Sequence, residues 1–410
     1  MKILHVSYSD LKGGAAIASN RLHNGFLKKK DNSWLLVNER ISKGKNIVGL
    51  NNLYDFLFIL MKKIFIKIIN KMLRSKVGEF YSLNHFNSKT LTRINSLKPD
   101  IVNLHWVNNE MISIEEIANI KQPFVWTILD MWPFSGVEHY NQSSNYVNKK
   151  FFCIFKILNN YILKKKKIFS KCNFEVIAIS KWLAHESKKS FLFKNKVIHQ
   201  IPLGLDFKIW KPINKIKART DLNFDKEKKY IIFSSTNGTS DVRKGFDIFL
   251  KAINLLKINK NLLHLIIIGK LDHHRDLLAY KIEYTVFESF FFNTHKELIK
   301  LYSASDLLVA PSIKEAFGQV ALEASSCNLP TVAFNKTGFA DIIRHKKNGY
   351  LAKFHDIKDF AKGVDWFLKI KNKKNNKIRS YVQNKFSIDL ITSKYKNIYF
   401  KILKKNEYKI

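Results

Sequence analysis

The chain has 410 residues, 46% of them hydrophobic, and its 71 Lys and Arg against 33 Asp and Glu leave a formal charge of +38. That length suits two domains of about 200 residues, each able to bury its own core, and the apolar content excludes a disordered chain. Lys interrupts every long apolar run, which excludes a membrane-spanning helix, and Met1-Lys2-Ile3-Leu4-His5-Val6 turns polar too soon for a signal peptide; a cytoplasmic protein is expected. Cys153, Cys172 and Cys327 have neither CxxC nor metal-ligand spacing, which fits a reducing compartment and predicts no metal site.

Lys2–Ser9 is a buried-strand run that Asp10-Leu11-Lys12-Gly13-Gly14 turns into a helix over Ala15–Lys28. These glycines lack GxGxxG spacing, so the pair serves either a tight turn or a ligand contact. A strand over Ser33–Val37, a basic helix over 53–75 and a helix over Ser88–Ser96 follow. Pro99–Trp106 reads PDIVNLHW, a strand ending in polar groups. Ligands of doubly wound sheets bind at the carboxyl ends of strands, which makes His105, Trp106 and Asn108 candidates. Pro123–Asp130 is another strand, leading into Met131–Tyr140, where His139 stands near Asp130 in sequence. Strands over Phe174–Ile179 and Val197–Ile201 enclose a helix capped by Ser180. Ile201–Asp206 is a hinge-like turn and a charged stretch runs from Lys215 to Lys229. The expected division is 1–205, 206–385, and a C-terminal helix over 386–410 that crosses back to the first domain.

The second half opens with a strand over Tyr230–Ser235, a loop carrying Arg243-Lys244-Gly245, and a helix over Ile248–Leu256. Cations in such a loop neutralise a leaving diphosphate; the plainer alternative is a solvated basic turn. Strands over Leu262–Gly269 and Thr285–Phe291 and a helix start at Asn293–Leu298 come next. Leu307–Ala310 is an apolar strand that Pro311-Ser312 breaks, and a helix begins at Val320 and ends at Asn328-Leu329-Pro330. Glu315 in the loop and Glu323 in the helix are eight positions apart, roughly 12 Å at a helical rise. One acid/base pair needs its carboxyls about 5 to 9.5 Å apart, so the spacing suits two contacts on one long ligand, such as a nucleotide sugar. Backbone N–H groups around Phe317 and Gly318 open the helix and attract a diphosphate, and Gly318 admits a close approach. A strand over Pro330–Phe334 and a turn over Asn335–Asp341 follow.

The segment Glu315–Glu323, EAFGQVALE, resembles the signature of retaining glycosyltransferases of family 4. Four further stretches resemble the same family. GGAAIASNRLHNGFLKK is similar to the opening helix of its bacterial surface-polysaccharide members, and Trp126–Tyr140 to its WTLHDMWPFTGGCHY segment, with Leu129 and Glu138 where the family has His and Cys. Ile201–Asp206 with Phe207, Trp210 and Pro212 resembles its interdomain link, and Thr337-Gly338 its turn beneath the donor sugar, with Phe339 replacing a glycine.

The resemblance implies an α/β GT-B fold: two facing Rossmann-like doubly wound domains with an interdomain cleft. It implies transfer of a sugar, with retention and without metal or other cofactor, from a nucleoside diphosphate sugar to a glycan or lipid-linked glycan. Glu323 would then face the ribose hydroxyls and Glu315 the donor sugar, with Lys244 and Arg243 on the pyrophosphate. Phe317, Gly318, Thr337 and Gly338 would line the donor, Gly13 and Gly14 would approach its phosphate or the acceptor, and Asp130 would contact the sugar or position the acceptor. Leu129 keeps open a catalytically inactive nucleotide-sugar-binding partner of a glycan assembly complex, and a nucleotide-sugar epimerase would share the fold.

The charge has its own two readings. Leu53–Lys76 and Lys149–Lys167 place Phe, Ile and Leu with Lys at helical spacing, like interfacial amphipathic helices. Such segments either meet an anionic membrane surface or pack their apolar stripe on a sheet, leaving the Lys as compositional bias. No nucleic-acid module is recognisable, so nucleic acid is not an expected partner.

Overall fold

The computed structural model describes residues 1–50, 53–73, 80–140, 149–236, 238–272, 277, 282–287, 295–369 and 376–407. The chain divides into two compact units, one of Met1–Ser75, Glu79–Gly204 and Ile388–Ile410, the other built on Leu205–Ser387.

Along the first unit run β1 Lys2–Val6, α1 Gly14–Lys28, β2 Asn32–Leu36, β3 Ile47–Val48, α2 Leu53–Leu73, α3 Thr90–Leu97 and β4 Ile101–Leu104. Then come α4 Ile114–Ala118, β5 Phe124–Ile128, α5 Phe152–Lys166, β6 Phe174–Ala178, α6 Lys181–Lys189 and β7 Ile198–Gln200. The second unit holds α7 Lys215–Asp221, β8 Lys229–Ser234, α8 Phe246–Asn254, β9 Leu263–Ile268, β10 Glu283–Phe287, α9 His295–Ala304 and β11 Leu307–Ala310. It continues through α10 Gln319–Ser326, β12 Thr331–Phe334, β13 Gly349–Ala352, α11 Ile357–Lys369 and α12 Asn376–Phe386. The final helix, α13 Ile388–Glu407, belongs to the first unit.

Both sheets are parallel, which explains why their central strands are continuous apolar runs: helices cover both faces. The first has the order β3-β2-β1-β4-β5-β6-β7 and the second β10-β9-β8-β11-β12-β13. Each order reverses once, between β1 and β4 in the first and between β8 and β11 in the second. These reversals are where a doubly wound sheet opens a crevice beyond its strand ends.

The first core runs from Ile3, Ile101, Val125 and Ile177 on four strands to Phe26 of α1 and Ile391, Tyr395 and Tyr399 of α13. Asn103 of β4 donates to the Tyr399 hydroxyl at 2.6 Å, so α13 is joined to the sheet by polar as well as apolar contact. In the second unit Phe233, Ile267, Val309 and Val332 pack with Phe246 and Phe249 of α8 and Phe360 and Val364 of α11.

Several expectations are adjusted by local chemistry. The charged stretch from Lys215 begins as a helix, because Asn214 caps it by accepting from the Ile216 and Lys217 N–H groups, and Arg219 anchors it on Asp306 at 2.7 Å. The short strand β3 had no counterpart among the expected elements; two residues are too few for a periodic signal. Residues 74–76 of the first basic segment, 288–291 of the expected strand and 293–294 of the expected helix start lie outside the described residues. No described helix is long and apolar enough to cross a membrane.

Candidate functional site

In the second unit the loops after β8, β11 and β12 leave three adjacent strands, and the first two flank the reversal of strand order. Backbone bonds knit these loops together. Ile313 N–H donates to the Arg243 carbonyl at 2.9 Å and Gly338 N–H to the Glu315 carbonyl at 2.8 Å. Gly338 is required by this proximity, because a Cβ there would stand 2.4 Å from the Ala316 carbonyl oxygen. The chain then passes through Phe317, which is buried with its ring 5.9 Å from that of Phe386, so its side chain belongs to the core. Gly318 caps α10 at φ +97°, and a Cβ on it would lie 2.2 Å from a ring carbon of Phe339. The left-handed cap moves the helix start from the expected Val320 to Gln319.

The charged groups meet on this frame. Lys244 Nζ lies 2.7 Å from Glu315 Oε2, with the Lys side chain 26% and the Glu side chain 14% exposed. Arg243 is clamped by the fully buried Asp241, Nε to Oδ1 at 3.1 Å and Nη2 to Oδ2 at 2.7 Å. Lys244 is therefore a partly exposed point charge held by Glu315, whereas two nitrogens of the Arg243 fork are committed to Asp241. Glu323 is a buried carboxylate inside α10. Thr337 is buried too, and its hydroxyl donates to the Phe334 carbonyl at 3.1 Å. Lys244, Glu315, Phe317, Gly318 and Gly338 are thus brought together through their loops; Asp241, which sequence reading passed over, is the group that fixes Arg243. Its signal was an acidic residue two positions before the arginine.

In the first unit the equivalent reversal carries Gly13 and Gly14 after β1 and His105 and Trp106 after β4, with Asp130 after β5. Gly13 caps α1 at φ +89° with nothing within 4 Å of where a Cβ would stand, and Gly14 opens the helix. Asp10 holds the neighbouring loop by accepting from the Ile41 and Ser42 N–H groups at 2.9 and 2.8 Å. Asp130 is the hub of this end. It accepts from Trp106 Nε1 at 2.8 Å and Trp132 N–H at 3.1 Å, and its Oδ2 lies 2.6 Å from His139 Nδ1. His139 Nε2 in turn meets Ser82 Oγ at 2.9 Å. Leu129, beside Asp130 in the chain, is buried.

His105 does not join this group. Its Nε2 lies 2.9 Å from Nδ1 of His5 in the interior, and burial depresses its pKa to about 3. Burial, with His105 and His23 nearby, also holds His5 well below the ordinary imidazole range. Two neutral rings can share one proton, one donating and one accepting, which makes this a core pair. Lys166 was also missed by sequence reading, hidden in a run of lysines. It is fully buried, with Nζ donating to the carbonyls of Trp132, Ser135 and Gly136, the last two at 3.1 and 2.8 Å, and it underlies the segment that follows Asp130. Among the described residues no group of three His, Cys, Asp or Glu could hold a metal ion.

Comparison with known proteins places this geometry. Residues 214–385, within the second unit, match the family model for glycosyl transferases group 1. The D-inositol 3-phosphate glycosyltransferase of Paenarthrobacter aurescens is 30% identical over 173 residues, 40% of this chain and 41% of that protein, so the chain spans about two fifths of this relative's length. A glycosyltransferase from Rickettsia africae superposes with a TM-score of 0.64 at 18% identity, covering 98% of this chain and 99% of its own. Anabaena HepE, solved in complex with UDP and glucose, superposes with a TM-score of 0.64 at 15% identity over 97% of this chain and 99% of its own. The chain as a whole has the α/β GT-B fold, and residues 214–385 of its second unit are similar to glycosyl transferases group 1.

Proposed function

We propose that this protein is a metal-independent, retaining glycosyltransferase that takes a nucleoside diphosphate sugar in its second unit and delivers the sugar to a glycan or lipid-linked glycan in surface-polysaccharide assembly. The observation that carries the reading is the Lys244–Glu315 contact at the reversal of the second sheet, beside the start of α10. A helix N-terminus and two cations suit a diphosphate, while Glu315 and Glu323, as acceptor-only carboxylates, suit sugar and ribose hydroxyls. HepE, of the same fold, was solved with UDP and glucose.

In the reaction the bond from the anomeric carbon to the diphosphate breaks, the bond from the acceptor oxygen to that carbon forms, and the acceptor hydroxyl's proton passes to the departing diphosphate. Lys244 and Arg243 stabilise the negative charge that accumulates on the departing diphosphate, the role a divalent metal fills in other sites. Asp130 positions the acceptor in the first unit, held in register by Trp106 and His139. A lipid-linked acceptor would put the enzyme at the cytoplasmic face of a membrane.

The test is a panel of nucleotide sugars screened for thermal stabilisation of the wild type and of Glu323→Ala, followed by a transfer assay with the stabilising donor. A donor that raises the unfolding temperature of the wild type and not of Glu323→Ala supports the site. No stabilisation by any nucleotide sugar overturns it. Donor binding without turnover would favour the inactive partner that Leu129 suggests, and interconversion of the donor itself would favour an epimerase.

A further inference from the structure

Helix α2 is turned inside out. Among its described side chains, those from Leu57 to Leu73, the buried positions are Lys62, Ile66, Asn70 and Leu73, spaced three or four apart along one side. Two of these four are polar, and both are held by backbone. Lys62 Nζ donates to the carbonyls of Phe86 and Asn87, and Asn70 bonds the Tyr81 carbonyl at 2.9 Å and the Tyr81 N–H at 2.7 Å. The apolar stripe therefore points away from the core. Leu57, Met61, Ile64, Ile68 and Met72 recur at helical spacing, and Met61, Ile64 and Ile68 are 62%, 53% and 54% exposed.

A core-packing amphipathic helix does the opposite, covering its apolar stripe and wetting its lysines. Single exposed leucines need no explanation, but a stripe along several turns is a contiguous patch of the kind that marks an interaction surface. The neighbouring helix continues it: α5 packs beside α2 and exposes Ile154, Ile157 and Tyr161, while its Phe155 and Ile162 face inward. Charge identifies the partner. Lys67 and Lys71 are exposed beside the stripe, no acidic residue stands between Leu57 and Leu73 or within α5, and the protein carries +38 overall. A soluble partner matching this patch would need a flat apolar strip edged with acid, which is the make-up of an anionic bilayer surface.

We propose that the outer face of α2, continued by α5, is a docking surface for an anionic lipid bilayer, with the apolar stripe entering the headgroup boundary and Lys67 and Lys71 at the level of the lipid phosphates. The inference stands independently of the donor site.

The test is flotation of the full chain with vesicles of phosphatidylcholine alone and of phosphatidylcholine mixed with phosphatidylglycerol. The wild type is expected to float with the mixed vesicles and to stay behind with the neutral ones. The double variant Ile64→Ser/Ile68→Ser should lose vesicle affinity about tenfold or more, from the apolar area withdrawn, and Lys67→Gln/Lys71→Gln about fivefold per lysine. All these positions are exposed, so unfolding temperatures should match the wild type and keep folding separate from docking. The control is Lys217→Gln/Lys226→Gln, two exposed lysines of the second unit that remove the same charge. Equal losses from the control and the α2 lysines, unchanged flotation of the serine variant, or no flotation of the wild type would each overturn the proposal. Light scattering completes the test: a wild-type dimer that the serine variant reduces to monomer identifies a second copy of the chain as the occupant and also overturns it.

Discussion

Lys244 Nζ and Glu315 Oε2 lie 2.7 Å apart although 71 positions separate them, because the loops that carry them leave the adjacent strands β8 and β11. The pair is partly exposed, so its contribution to stability is small, about 0 to 1 kcal/mol. Its contribution to transfer should be larger. Lys244→Met is expected to lower kcat about 100- to 1,000-fold, as loss of one preorganised charge on a leaving group does, while shifting the urea midpoint little. Glu315→Gln should cost activity by a similar order, and the double variant should cost less than the two single losses combined, because the residues act as a unit. Steady-state kinetics and urea unfolding of all three variants check this.

Gly318 and Phe339 set up a second prediction. Gly318→Ala meets both a left-handed backbone and the Phe339 ring, 2.2 Å from the added carbon. The expected destabilisation is about 2 to 4 kcal/mol, combining backbone strain with overpacking. In a Phe339→Gly background the ring is gone, so the same substitution should cost only the backbone part, about 1 to 2 kcal/mol. Urea midpoints across this four-member cycle separate the two causes.

How much of this was legible beforehand depends on whether the cause was local. Alternating strand and helix patterns announced both sheets, and EAFGQVALE marked the loop before α10, because turn residues and periodicity act over a few positions. Helix starts moved by one or two residues where a cap decided them, as at Gly318. The orientation of α2 was not legible: its sequence shows an apolar stripe and a basic stripe, and only carbonyls at residues 81, 86 and 87 make Lys62 and Asn70 the inward side. The exchange of roles between His105 and His139 has the same origin. Both stand near strand ends, and it is the interior neighbour His5 that draws one inward and Asp130 that holds the other.

The buried His5–His105 pair makes stability depend on pH. Both rings have depressed pKa values in the folded chain, about 3 for His105, against about 6.5 when unfolded. Between those limits the unfolded state binds more protons than the folded state, so unfolding free energy rises with pH there and is lost as pH falls below about 6.5. The loss should approach about 1.4 kcal/mol per pH unit for each histidine. Unfolding free energy measured from pH 7.5 down to 5 should be flat at the top and fall below 6.5, and His105→Asn should make the fall shallower by one histidine's share, up to about 1.4 kcal/mol per pH unit, while His5, His23 and His264, whose pKa values burial also lowers, keep the rest. A slope identical in wild type and variant would assign the acid sensitivity elsewhere.

Lys166 allows the sharpest stability test in the first unit. Its ammonium is fully buried, burial lowers its pKa and nearby Asp130 opposes that shift, and it satisfies three carbonyls of the segment between Trp132 and Gly136. Lys166→Met keeps the aliphatic stem and removes a buried charge, which by itself favours folding, but it strands the Ser135 and Gly136 carbonyls without a donor, while the Trp132 carbonyl keeps the Ser135 N–H at 3.3 Å. Each buried acceptor left unsatisfied costs about 1 to 3 kcal/mol, and the two together outweigh the relief of removing one ammonium. A net destabilisation of about 2 to 5 kcal/mol is therefore expected, together with loosening of the Asp130–His139 contact next to that segment. Urea unfolding gives the first quantity. Hydrogen exchange over Met131–Gly136 gives the second, and protection equal to the wild type would show that the lysine does not anchor that segment.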